Sequence, residues 1–74
     1  MKEFSYEIQE RYGTISEDDK YIKEVNLISY NGAKPKIDVR TWTKGEDENH
    51  MGKGITLTYE EAMKLKNLLE QIEE

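Results

Sequence analysis

Cysteine is absent from this 74-residue sequence, which excludes disulfides and thiolate-bound metal ions. The single histidine, His50, cannot hold a structural metal ion alone. No apolar run approaches the roughly 20 residues that span a bilayer, and residues 1–5 lack the apolar stretch of a signal peptide. We therefore expect a cytoplasmic protein with no membrane association, no metal and no cofactor.

Hydrophobic residues are also scarce, at 35% of the chain against 36% charged residues. A core of this size supplies only about 3–5 kcal/mol of stability, and small domains without disulfides or metals gain the rest by association. The sequence therefore predicts one domain, residues 1–74, that forms a homodimer.

The net charge of -5 taken alone argues against nucleic-acid binding, but the charges are unevenly distributed. Residues 1–19 carry two positive and six negative side chains, net -4, whereas residues 20–44 carry six positive and two negative, net +4. A ligand responds to the local field more than to the total charge. The central segment can therefore bind an anion although the protein is acidic.

Four strands and one helix are predicted. Alternating or β-prone segments predict strands over residues 4–12, 21–30, 37–43 and 53–57. Gly13 is expected to end the first strand, with a brief continuation over residues 14–16 as the alternative. Asn31-Gly32 predicts a hairpin because both residues accept positive φ. Thr58 and Glu61 form a capping box at the start of a helix. The helix has an apolar stripe of Ala62, Leu65, Leu69 and Ile72. The order predicts an α+β fold with two layers.

The central hairpin has two contrasting faces. Val25, Leu27, Ile37 and Val39 are predicted to lie under the helix. The opposite face carries Tyr30, Lys36, Arg40 and Trp42, with Ile28 between them. Aromatic planes stack on bases while cations neutralise phosphates, so this pattern suits single-stranded nucleic acid. The alternatives are that both aromatic side chains pack under the first strand or at a dimer contact, and that the cations are simply solvated.

Gly52-Lys53-Gly54 permits close approach of a ligand to the backbone, although a tight turn with a solvated lysine is the simpler interpretation. Asp38 is interpreted as an ion-pair partner of the neighbouring cations. The sequence has no paired carboxylates, nucleophile–base set or metal-ligand cluster. We therefore expect a protein that is not an enzyme.

Two motifs at a fixed spacing carry a family resemblance. Lys-Ile-Asp-Val-Arg-Thr-Trp at residues 36–42, a polar loop, and Gly-Lys-Gly-Ile-Thr-Leu-Thr at residues 52–58 precede the helix. This arrangement resembles the positive cofactor four (transcriptional coactivator) C-terminal domain. Residues 27–32 resemble its bacterial YdbC-like branch more closely.

The resemblance implies a strongly curved four-stranded antiparallel sheet, one C-terminal helix and a homodimer. It further implies binding of single-stranded DNA with little sequence preference, in transcription, replication or repair. By position, the binding residues are Tyr30, Arg40, Trp42 and Lys53. Asn31 stands where the coactivators carry a lysine, and their basic N-terminal tail is missing.

The sequence thus predicts nucleic-acid-binding residues from the two arguments together: Tyr30, Lys34, Lys36, Arg40, Trp42, Lys53 and, on electrostatic grounds, Lys23. DNA and RNA both remain open, because both offer stackable bases and phosphates. The alternative function is a protein-interaction module that uses the exposed aromatic face.

Overall fold

The computed structural model describes residues 4–73. Met1, Lys2 and Glu3, part of the segment considered above for a signal peptide, lie outside the described residues. The elements are β1 Tyr6–Glu17, β2 Tyr21–Tyr30, β3 Lys36–Thr43, β4 His50–Leu57 and α1 Tyr59–Glu70. The strands form one antiparallel sheet in the order β1-β2-β3-β4, which does not close. The predicted α+β arrangement of four strands and a C-terminal helix is confirmed.

Strand β1 is longer than predicted and runs through Gly13. Its register with β2 shifts three times, which leaves Gln9, Tyr12 and Ile15 as extra residues. Such bulges bend a strand and increase its twist. The prediction that Gly13 ends the strand was wrong, because Gly13 lies opposite Val25 and continues the pairing.

The hairpin between β2 and β3 has the predicted turn. Asn31 and Gly32 adopt φ values of 50° and 77°. The Ala33 N–H donates to the Tyr30 carbonyl oxygen at 2.9 Å. The side chain of Asn31 also accepts a hydrogen bond from the Ser5 N–H at 2.9 Å. The turn therefore holds the chain that enters β1.

Strand β4 begins at His50, three residues before the predicted start. Gly54 lies opposite Arg40, and Met51 lies opposite Trp42, with a register shift between the two pairs. A Cβ atom on Gly54 would overlap the Arg40 Cβ. The glycine is therefore required because β4 passes close to β3. The close approach of a ligand is not needed to explain it.

The sheet is strongly curved. Tyr6 pairs with Tyr30, whereas Trp42 pairs with Ile22 at the other end of β2. The eight residue steps from Ile22 to Tyr30 would span about 26 Å in a flat strand. The Tyr6 and Trp42 ring centroids are nevertheless only 5.7 Å apart. The sheet must therefore bend towards the face that carries these rings.

We call this face the inner face and define it by Ile28, Tyr30, Asp38, Arg40 and Trp42. Among the described residues, Ile28 and Trp42 are the only hydrophobic residues that are fully buried, at 0% and 2% exposure. The core of the single chain therefore lies on the inner face.

The opposite, helix-side face consists of Val25, Leu27, Ile37 and Val39. Val25 pairs with Val39 and Leu27 with Ile37, as predicted. Helix α1 contacts β3 and β4. None of its described residues is buried. The packing of α1 on β3 and β4 therefore leaves the helix-side face partly uncovered.

An apolar groove of about 600 Å³ remains between the helix-side face and α1. Its lining combines sheet and helix residues: Ile15, Val25, Ile37, Val39, Leu57, Ala62, Leu65, Lys66, Leu69 and Glu70.

The capping box predicted at the start of α1 is present, since Glu61 N–H donates to Thr58 Oγ1 at 3.1 Å and Thr58 N–H donates to Glu61 Oε1 at 2.8 Å. Within residues 4–73, no helix has the length and apolar character needed to cross a membrane.

Candidate nucleic-acid interface

Four aromatic side chains gather on the inner face, where the curvature of the sheet brings Trp42 towards the start of β1. The Phe4 ring lies 6.0 Å from Tyr30, and the Tyr6 ring lies 6.4 Å from Tyr30 and 5.7 Å from Trp42, all between centroids. Phe4 is 64% exposed and Tyr6 37% exposed, whereas Trp42 is 2% exposed. The rings that a base can reach most easily therefore belong to the chain at the start of β1.

Trp42 does not lie on an open face as the sequence predicted. The curvature of the sheet brings Tyr6 against Trp42 and buries the indole. The alternative, packing under the first strand, describes its position. The indole Nε1–H has no acceptor among residues 4–73. Strand parity gave the correct face for Trp42, but it could not reveal that β1 covers it.

Asp38 is the centre of a buried hydrogen-bond network. Its carboxylate has no exposed surface. It accepts a bond from the Tyr30 hydroxyl at 2.5 Å and one from the Thr56 hydroxyl at 3.2 Å. Arg40 donates to it through Nε at 2.6 Å and through Nη2 at 2.7 Å. The prediction that Asp38 is an ion-pair partner is confirmed.

Arg40 is consequently engaged within the protein. Its Nη1 donates to the Gly52 carbonyl oxygen at 2.8 Å, so all three guanidinium nitrogens have partners. The side chain is 12% exposed. Hydrogen bonding to Asp38 raises the pKa of Arg40. Three of its five N–H donors are therefore engaged within the protein, and Asp38 balances its charge. A phosphate contact at Arg40 stays a prediction.

Tyr30 is fixed by the same network. Burial, followed by the hydrogen bond to Asp38 and the negative charge of that carboxylate, raises the pKa of Tyr30 from 10.0 to about 12. The ring centroid lies 5.8 Å from Arg40 Cζ, within reach of a cation–π contact. Tyr30 therefore presents a neutral, oriented ring beside Phe4 and Tyr6.

The four predicted lysines are all exposed. None of them forms an ion pair within the described part of the chain. Lys34 lies in the hairpin loop, and Lys36 lies opposite Ile28, at the same end of the sheet as Tyr30. Lys23 and Lys53 instead line a shallow groove of about 350 Å³ with Val39 and Ile55. The predicted residues are therefore divided between the two faces of the sheet.

Residue-by-residue reasoning did not assign Phe4 and Tyr6 to the site. Their alternation with polar residues was recognised, but only as the signature of a half-buried strand. Tyr6 also lines a pocket of about 250 Å³ together with Ile8, Arg11, Trp42, Glu48 and Asn49. The pairing of Tyr6 with Tyr30 was the missing information, because it places both rings on one face.

These features define a small α+β domain whose curved sheet combines aromatic rings with exposed cations. The chain matches Transcriptional Coactivator p15 (PC4) over residues 18–68 and belongs to that family, which is known for nucleic-acid binding and coactivator roles. It is 40% identical over 68 residues to an uncharacterized protein of Treponema pallidum (strain Nichols). That alignment covers 90% of this chain and 78% of the relative. The family resemblance found in the sequence is confirmed.

Proposed function

We propose that this protein binds single-stranded DNA with little sequence preference. The observation that carries the proposal is the aromatic cluster, in which exposed Phe4 and Tyr6 adjoin Tyr30. Base–aromatic stacking contributes roughly 1–3 kcal/mol per base and tolerates any sequence. Membership of a family known for nucleic-acid binding supports the same function.

Phosphates are neutralised by the exposed lysines in this proposal. Lys34 and Lys36 lie at the aromatic end of the sheet, and their ammonium groups have no carboxylate partner among residues 4–73. Lys23 and Lys53 line one shallow groove and neutralise phosphates of nucleic acid that passes over that groove. Arg40 supports the site from within by orienting Tyr30 through Asp38.

The proposal includes a homodimer formed through the helix-side face. Two hydrophobic residues are fully buried among the described residues, whereas Ile55, Leu68 and Leu69 are 54%, 61% and 54% exposed. A second copy supplies the same apolar groove and α1, so a two-fold contact covers both grooves at once. Sedimentation at micromolar concentration should give twice the 8.7 kDa chain mass. A folded species of the single-chain mass would contradict this part of the proposal.

The activity proposed is binding without catalysis, in transcription, replication or repair. The test compares Tyr6→Ala with Tyr59→Ala, a change at a 70% exposed tyrosine of α1. Loss of one stacked base should weaken binding of a labelled 20-nucleotide oligo-dT about tenfold or more for Tyr6→Ala. Tyr59→Ala should leave the affinity unchanged. Fluorescence anisotropy measures both. Equal affinities for the two variants would contradict the stacking role of Tyr6, and absence of binding would favour a protein-interaction module instead.

A further inference from the structure

The pocket beside Trp42 combines an apolar wall with polar groups. Tyr6, Ile8 and Trp42 form the wall. Arg11, Glu48 and Asn49 supply a guanidinium, a carboxylate and an amide around the same space of about 250 Å³. An apolar wall with a few convergent polar groups is the usual composition of a small-molecule site.

An unstacked nucleobase has the matching chemistry. Single-stranded bases are recognised by stacking on aromatic side chains and by hydrogen bonds to their Watson–Crick and Hoogsteen edges. The Nε1–H of Trp42 is buried and has no acceptor among residues 4–73. A buried donor without an acceptor is destabilising, and a carbonyl oxygen on a ligand would remove that cost.

The polar groups distinguish among the bases. An ionised carboxylate only accepts hydrogen bonds. Guanine alone among the four DNA bases offers it two adjacent donors, N1–H and the N2 amino group. Arginine donates well to the O6 and N7 acceptors of guanine. The Arg11 side chain is 64% exposed and pairs with the 13% exposed Glu24 at 3.3 Å, so a contact with guanine would replace this ion pair.

We propose that this pocket binds one guanine base of a bound single strand, with Glu48 as the selective residue. The proposal rests on the single-strand binding proposed above and adds one base-selective subsite to each subunit. Tyr6, Ile8 and Arg11 belong to β1, which precedes the family match at residues 18–68. Half of the six lining residues therefore lie outside that match, whereas Trp42, Glu48 and Asn49 lie within it.

The test measures anisotropy of labelled 12-nucleotide oligo-dT and of the same strand with one central dG, dA or dC. The dG strand should bind about tenfold more tightly than oligo-dT, the discrimination expected of one good bidentate base contact. A strand with hypoxanthine in place of guanine lacks the N2 amino group and should lose most of this gain.

Glu48→Gln should abolish the preference for dG and leave binding of oligo-dT unchanged. Glu48 is exposed, so this variant should fold normally. Asp47→Asn is the matched control, because Asp47 is an exposed carboxylate of the same loop that does not line the pocket. The control should retain the preference for dG.

The outcomes separate the two proposals. Absence of binding to every strand would overturn the proposed function. Tight binding of oligo-dT with equal affinity for the dG strand would overturn only the guanine subsite. A preference for dA or dC, or a dG preference that survives Glu48→Gln, would also overturn it.

Discussion

The two faces of the sheet differ in burial, and the face with the polar groups is the more buried of the two. The inner face carries polar groups, yet Asn26 and Asp38 are 1% and 0% exposed. The helix-side face is apolar, yet a groove of about 600 Å³ remains open along it. One chain therefore completes the inner face by curving β1 across it. In the proposed homodimer a second copy covers the helix-side face, and an apolar pattern alone does not reveal which molecule covers it.

A charge placed in the open groove should have the largest effect. Leu65→Asp introduces a carboxylate between the helix-side face and α1, where the partner copy would bury it. We expect loss of the dimer and of cooperative thermal unfolding, measured by sedimentation and circular dichroism. Asn67→Asp adds the same charge on the exposed side of α1 and should leave both unchanged. A stable Leu65→Asp dimer would show that the groove is not the interface.

The inner face should be most sensitive at its buried ion pair. Asp38→Asn leaves the Arg40 charge without compensation, and breaking a buried pair in this way costs about 3–5 kcal/mol. Urea denaturation measures the loss. Glu17→Gln breaks the 2.6 Å ion pair with Lys44. The Glu17 side chain is 51% exposed and the Lys44 side chain is 33% exposed. This control should cost less than about 1 kcal/mol, and equal losses would contradict the distinction between the two environments.

The predicted fold came largely from local information. The Asn31-Gly32 turn, the Thr58 cap and the parity of β2 and β3 each depend on neighbouring residues, and the structure reproduces all three. The same holds for the ion pair of Asp38 with Arg40, two residues apart on one strand.

The burial of Trp42 could not be predicted in the same way. It depends on three bulges in β1 and on the curvature that brings Tyr6 across two strands. Bulges interrupt alternation, so a strict period of two does not hold beyond the first bulge at Gln9. Phe4 and Tyr6, which the proposed function assigns to the interface, were missed because their partners lie far along the chain.

Removing one lysine from either face of the sheet should have a smaller effect, seen in the salt dependence of binding. The slope of log K against log salt is about -0.7 per phosphate neutralised on a single strand. Lys36→Ala and Lys53→Ala should each reduce its magnitude by about 0.7 for oligo-dT. Lys64→Ala, on the exposed side of α1, is the control and should change nothing. An unchanged slope for Lys53→Ala would confine the strand to the inner face.

The smallest effect concerns the ionisation of Tyr30. Its pKa of about 12 exceeds the ordinary value of 10.0, so the folded state favours the neutral phenol. The resulting stability is complete below pH 10 and is lost as the pH rises through about 12. Tyr30→Phe should remove the last tyrosine to ionise in an ultraviolet titration of the folded protein. An unaltered titration curve at high pH would mean that Asp38 does not hold the hydroxyl.

In the proposed complex, aromatic rings on the curved sheet bind the bases of a single strand. Competition of unlabelled 20-nucleotide oligo-dT and of a duplex of the same length against labelled oligo-dT tests this contact most directly. The single strand should displace the probe at far lower concentration, because paired bases cannot stack on Phe4, Tyr6 and Tyr30. Equal displacement by the duplex would show that phosphates alone determine binding and would contradict the assignment of the aromatic cluster.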